Sequence, residues 1–143
     1  MIHTQRTIII AGHGEFAIAA LAAVEMICGK QTGITAVALL PGEGLEELYQ
    51  QYEQIVLGVK AGGILLLTDI DGGTPSNAAT QLLLAYPDIQ VFSGFNLPLL
   101  LEVVMDKWET LDTVKMLINK QWGSYLTDIN QKIKSKEGLD NEY

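Results

Sequence analysis

Short aliphatic runs alternate along this chain with longer stretches in which apolar residues recur at helical spacing. Arg6 to Ala11 reads as a first strand, because Thr7-Ile8-Ile9-Ile10-Ala11 lacks polar alternation and so predicts burial on both sides. A helix follows from about Glu15 to Cys28, with Phe16, Ala20, Ala23, Val24 and Ile27 at helical spacing and Gly29 as its stop. Thr35 to Leu40 is a second strand and Pro41-Gly42 a turn. The next helix sets Leu45, Leu48, Tyr52, Ile55 and Val56 on one face against Glu46, Glu47, Gln50 and Glu53 on the other. Gly63 to Thr68 is a third strand, Pro75 to Tyr86 a third helix, and Gln90 to Ser93 a short fourth strand before the loop Gly94-Phe95-Asn96. Pro98 suits the first turn of a further helix, where its missing N–H costs little. Leu111, Val114 and Ile118 mark a last helical stretch, and Trp122-Gly123-Ser124-Tyr125-Leu126 fits either its continuation or a short edge strand.

This order of elements predicts an α/β fold, a mostly parallel sheet covered by helices on both faces. With 143 residues, 48% of them hydrophobic, the chain suffices for one domain with a proper core and is too short for two. That domain is expected over residues 1–130, with 131–143 a polar tail that frays, most plainly from Lys132 to Tyr143.

The chemistry concentrates at two strand ends. Gly12-His13-Gly14 directly follows the first strand, at the carboxyl edge where open α/β sheets place reactive groups. Asp69-Ile70-Asp71-Gly72-Gly73-Thr74-Pro75 follows the third. If these strands are neighbours, as right-handed crossovers allow, Asp69 can accept the N–H of one ring nitrogen of His13 and make the other a better nucleophile. Gly72 and Gly73 let the backbone approach closely, Pro75 suits a helix start, and free N–H groups there receive an anion. Thr74 and Thr68 offer hydroxyls to phosphoryl oxygens. His13 and Asp69 thus form the candidate catalytic pair, and Gly72, Gly73, Thr74 and Thr68 the candidate phosphate site, suited to a transient phosphohistidine. Against this stands a histidine merely tolerated in a turn; His3 reads as an exposed terminal residue.

Composition and charge remove other classes. Nine basic residues against 17 acidic ones give a formal net charge of −8, which disfavours a nucleic-acid partner. The single Cys28 forms no internal disulfide and reads as apolar filler, and neither a secretory leader nor an apolar run of ~20 residues is apparent, so a cytoplasmic protein is expected. Two histidines and one cysteine offer no metal-ligand spacing, so no metal is expected. No cofactor is expected either. Gly29-Lys30 lacks the rest of a P-loop, and Gly12-His13-Gly14-Glu15-Phe16-Ala17 matches a dinucleotide fingerprint with no ribose-binding acid after the second strand. A phosphate bound at His13 should then come from a phosphorylated protein. A histidine phosphatase would need an arginine beside the histidine and a late second histidine, and a receiver domain an acidic pair after the first strand. Trp108 and Trp122 read as core or interface residues.

Ala11-Gly12-His13-Gly14, Leu40-Pro41-Gly42-Glu43, Asp69 to Ala79 and Gly94-Phe95-Asn96-Leu97-Pro98-Leu99-Leu100-Leu101-Glu102 occur in this order over nearly the whole chain. Together they resemble the enzyme IIA component of the mannose family of the bacterial phosphoenolpyruvate-dependent sugar phosphotransferase system. The resemblance implies that His13 takes phosphate from phospho-HPr on Nε2 and passes it to a histidine of a IIB component, and so only indirectly to the membrane IIC and IID components. It implies that Asp69 holds Nδ1 and Thr74 contacts the phosphate. It also implies a homodimer that exchanges a short C-terminal antiparallel strand, for which Trp122 to Leu126 is the candidate. Three positions depart from the commoner pattern: Thr74 replaces serine, Asp71 an aromatic or apolar residue, and Ser76 a larger side chain. Thr74 keeps the hydroxyl, whereas a carboxylate at Asp71 facing phosphate would repel it. Two alternatives stand: the phosphotransfer subunit of dihydroxyacetone kinase, whose pattern lacks the Gly-Gly-Thr-Pro and Asn-Leu-Pro segments, and a regulatory module that binds an anion or small ligand non-covalently.

Overall fold

Four parallel strands, β1 (Thr7–His13), β2 (Ile34–Leu39), β3 (Ile64–Thr68) and β4 (Gln90–Ser93), form one sheet in the order β2-β1-β3-β4. This is a computed structural model, and it describes residues 6–59, 63–106 and 108–141; His3 lies outside them. The helices are α1 (Phe16–Cys28), α2 (Leu45–Leu57), α3 (Thr74–Ala85), α4 (Leu97–Met105), α5 (Leu111–Gln121) and α6 (Ile129–Asn141).

Alternation along β1 explains the two layers. Ile8 and Ile10 point into a core shared with Ala17 and Val24 of α1, Leu100 and Val103 of α4, and Val114 and Ile118 of α5. Ile9 and Ala11 point the other way, onto Leu48 and Tyr52 of α2 and Ala78, Ala79 and Leu82 of α3. The chain steps from β1 outward to β2 through α1 and returns past β1 to β3 through α2. Reversing direction while keeping a right-handed crossover requires the opposite face, so α1 and α2 cover different sides. The reversal makes the β1/β3 boundary the switch point of the sheet, with β1 paired to β3 from Thr7↔Ile64 to Ala11↔Thr68. Leu66, at 0% exposure in the β3 centre, should be among the costliest positions to truncate. Leu66→Ala is expected to lose about 3 kcal/mol of unfolding free energy in urea titration; a loss below about 1 kcal/mol would mean the α2/α3 layer collapses onto the void.

The structure corrects several expectations. β1 runs two residues further than its apolar run, because Gly12 and His13 continue the pairing with Ala38 and Leu39 of β2 and Gly14 N–H donates to Leu39 O at 2.8 Å. His13 is therefore the last strand residue and not the first of a loop. The buried positions of α1 are Ala17 and Val24, while Phe16 and Ile27 are 54% and 59% exposed. A helix apolar on nearly every side gives no reliable face by periodicity. Trp122–Ser124 forms a 3₁₀ turn that prolongs α5, so the helical alternative holds in the single chain. Trp108 is core, with its indole N–H on Val103 O at 2.9 Å, whereas Trp122 is exposed and Cys28 only partly buried. The tail expected to fray is helical as α6. Asp128 starts that helix by accepting from Gln131 N–H at 3.1 Å, and the Lys, Gln and Glu residues beyond it favour helix by their own propensity.

Candidate functional site

The last residue of β1 and the first residue after β3 meet at the switch point. Strand pairing fixes the His13 backbone, and Asp69 N–H donates to Ala11 O at 3.1 Å, which registers the second segment against the first. The Asp69 carboxylate then grips both ends of His13: Oδ2 lies 2.9 Å from the backbone N and 2.7 Å from Nδ1 of the ring. Its other oxygen, Oδ1, accepts from Ile70 N–H at 2.9 Å. An ionised carboxylate only accepts, so the neutral imidazole carries its proton on Nδ1 and presents its lone pair at Nε2. The imidazole side chain is 49% exposed and the aspartate side chain 10%, so the ring is open to solvent while its partner is sheltered. The expected pairing of His13 with Asp69 is thus present in the geometry.

Burial acts to raise the Asp69 pKa, but hydrogen bonds from the backbone N–H and ring of His13 and from Ile70 N–H outweigh it and hold the carboxyl below its usual value. Folding therefore favours the ionised form. The stabilisation is complete above the unfolded carboxyl value of 3.8 and is lost as pH falls through the lower folded value. Urea midpoints of the wild type are expected to drop more steeply below pH 3.8 than those of Asp69→Asn. Parallel profiles for the two proteins would contradict this.

Two glycines make room for the pair. A Cβ on Gly73 would stand 2.9 Å from Cε1 and 3.4 Å from Nε2 of His13, and one on Gly12 would stand 3.3 Å from Asp69 Oδ2. Gly72 takes φ +80°, the left-handed conformation that suits glycine, and turns the chain into α3. Gly73 is the N-cap of α3, Thr74 its first residue, and Pro75 follows within the first turn. The start of α3 therefore lies beside the edge of the imidazole that bears Cε1 and Nε2. Asp71 is exposed at the turn between Ile70 and Gly72.

Thr68 is not where its expected role requires. It is fully buried, and its hydroxyl lies 2.6 Å from Ser76 Oγ and 2.7 Å from Ser93 Oγ, committed beneath the site instead of facing an anion. A hydroxyl on the last residue of an inner strand points into a layer, which the residue type alone does not reveal.

Tyr52, expected only on the apolar face of the second helix, also supports the site. Its hydroxyl donates to Pro75 O at 3.0 Å and so pins the first turn of α3 from below. Burial, with the negative charge of Asp69 adding to it, pushes the phenol far above its ordinary range, so it remains a donor. A tyrosine in the middle of the apolar face of an amphipathic helix is the available signal, since a buried O–H needs a partner. Around His13 the surface carries Phe16, Leu40 and Ile70, 54%, 48% and 54% exposed, with Phe16 packed on Phe95 at a ring separation of 5.4 Å.

Comparison with known proteins agrees with this architecture. Residues 7–121 match the family described as "PTS system fructose IIA component". The chain is 38% identical over 99 residues to the fructose-specific EIIA component of Bacillus subtilis strain 168, covering 68% of each protein. It is 34% identical over 99 residues to the mannose-specific EIIAB component of Escherichia coli K12, where the match covers 68% of this chain and spans 31% of that longer protein. The crystal structure of an EIIA component from Streptococcus agalactiae superposes with a TM-score of 0.81 at 30% identity, covering 88% of this chain and 98% of that one. The chain therefore belongs to the mannose family of phosphotransferase-system IIA components.

Proposed function

We propose that this IIA component is a phosphocarrier whose acceptor atom is Nε2 of His13. The observation that carries the reading is the 2.7 Å contact between Nδ1 and Asp69, which leaves Nε2 as the nitrogen with a free lone pair. In the forward step that lone pair forms a bond to the phosphorus of phospho-HPr, and the phosphorus–nitrogen bond to the donor histidine breaks, its electron pair returning to that ring. Positive charge developing on the His13 imidazole is stabilised by Asp69 through Nδ1–H. The phosphoryl oxygens are received by the N–H groups at the start of α3 and by the Thr74 hydroxyl, with Gly72 and Gly73 keeping the approach clear. The same events in reverse deliver the group to a histidine of a IIB component, in the service of sugar uptake through membrane IIC and IID components.

The carrier is proposed to work in the cytoplasm; among the described residues no helix is long and apolar enough to cross a membrane. Homodimerisation belongs to the same reading. Met116, Trp122 and Leu126, at 71%, 69% and 90% exposure, put apolar surface on the C-terminal segment that would meet a second copy.

Incubation with phosphoenolpyruvate, enzyme I and HPr tests the proposal, with intact mass as the readout. An acid-labile gain of one phosphate is expected. A folded protein that gains none beside fully phosphorylated HPr would overturn it and favour non-covalent anion binding.

A further inference from the structure

We propose that Ser76 is a positioning residue for the His13–Asp69 pair, acting through the carbonyl of Ile70. The inference rests on the reading of His13 as phosphoryl acceptor for its effect on transfer, and on geometry alone for its effect on the ring. Three hydroxyls converge below the site: Thr68 at the end of β3, Ser93 at the end of β4 and Ser76 in the first turn of α3. Ser76 Oγ lies 2.6 Å from Thr68 Oγ1 and 2.7 Å from Ser93 Oγ, and its own hydrogen is donated to Ile70 O. A serine hydroxyl has one hydrogen. With that hydrogen on Ile70, Ser76 only accepts from its neighbours; Thr68 and Ser93, themselves 2.7 Å apart, bring one hydrogen each, so two of the three hydroxyl contacts are hydrogen bonds at a time, as in the relay Ser93 to Thr68 to Ser76 to Ile70 O. Such a chain polarises the last hydroxyl and strengthens its bond to the carbonyl.

Ile70 is consequently held on both sides. Its N–H is on Asp69 Oδ1 at 2.9 Å and its carbonyl is on Ser76. The Ile70 side chain also abuts Gly73, with Cγ1 3.4 Å from where a Gly73 Cβ would stand. The residue that orients the imidazole and the residue that shapes the space beside Nε2 thus flank a single clamped residue. Thr68 adds a further tie, since its carbonyl accepts from Gly94 N–H at 2.8 Å and Phe95 N–H at 3.2 Å, fixing the loop after β4 to the same point. Thr68 and Ser76 are 0% and 5% exposed, whereas Ser93 opens to solvent, so water can replace the Ser93 hydroxyl and not that of Ser76.

The test uses two readouts on the full chain labelled with ¹⁵N-histidine: solvent exchange of the His13 Nδ1 proton by NMR, and single-turnover phosphorylation by phospho-HPr. Ser76→Ala is expected to speed the exchange about tenfold and slow the transfer about tenfold, as a ring loosened from its partner would. Ser93→Ala is expected to change each by about twofold, because water substitutes. A folded Ser76→Ala protein with wild-type exchange, whatever its loss of stability, would overturn the proposal and leave Ser76 a structural residue. If alanine prevents folding, Ser76→Cys keeps the shape with a weaker donor and should speed the exchange about threefold; wild-type exchange in that variant is equally fatal. Absence of phosphate on the wild-type protein would remove the acceptor role of His13, while the exchange data would still decide whether Ser76 orients the ring.

Discussion

Alanine at position 13 is expected to abolish phosphoryl acceptance altogether. Nε2 is the one lone pair that the Asp69 contact leaves on the imidazole, and His13 is the only histidine among the described residues. The substitution spares the fold, because the strand pairing of residue 13 with Leu39 uses backbone atoms and the side chain is 49% exposed. His13→Ala should therefore stay folded, losing about 1–2 kcal/mol of unfolding free energy in urea titration for the ring's hydrogen bond to Asp69. It should show no acid-labile mass gain after incubation with phosphoenolpyruvate, enzyme I and HPr. Stoichiometric phosphate on the variant would place the acceptor elsewhere.

The second large effect is kinetic. Removal of the Asp69 carboxylate leaves the nucleophile in place but frees the ring, unpairs the backbone N–H groups of His13 and Ile70, and takes away the charge that supports imidazolium character. Asp69→Ala is expected to slow single-turnover transfer from phospho-HPr by about 10²-fold to 10³-fold. Full occupancy should still be reached at long times, since the bond-forming atom survives. A rate within threefold of wild type would show that the strand end alone orients the imidazole. Complete and permanent loss of acceptance in a folded protein would instead make Asp69 indispensable to forming the bond.

Much of this was legible in the residues. Unbroken apolar runs at Thr7 to Ala11 and Leu65 to Leu67 identify doubly covered strands, and glycine and proline punctuation bounds the first and third helices to within one residue, whereas nothing in the polar tail announced α6. Adjacency of β1 and β3, from which the meeting of His13 and Asp69 follows, was a condition that right-handed crossovers allow and do not dictate, since handedness decides the face a helix covers and not the strand order. What stayed hidden depends on side-chain direction. Thr68 carries a hydroxyl suited to phosphate, but its place on the innermost strand turns that hydroxyl downward to Ser76 and Ser93. The apolar surface of α1 was misassigned because alanines and aliphatics surround that helix, and only the position of β1, β2 and α4 decides which of them are covered. The 3₁₀ turn after α5 was ambiguous because Trp122 to Leu126 has too few residues for a period to register.

Gly12 and Gly73 lie on opposite sides of the pair they admit, one against the carboxylate and the other against the ring. Every coded alternative to glycine is larger, so at these two positions drift can proceed in one direction only, toward intrusion. Elsewhere in the domain a misfit can be repaired by trading volume between neighbours, as aliphatic cores allow. Here the neighbours are the two side chains whose mutual placement defines the site, and neither can shrink without ceasing to be itself. The slot is thus a dimension the chain must inherit whole: redesign can vary the surrounding strands, helices and surface freely, but must begin with these two empty positions.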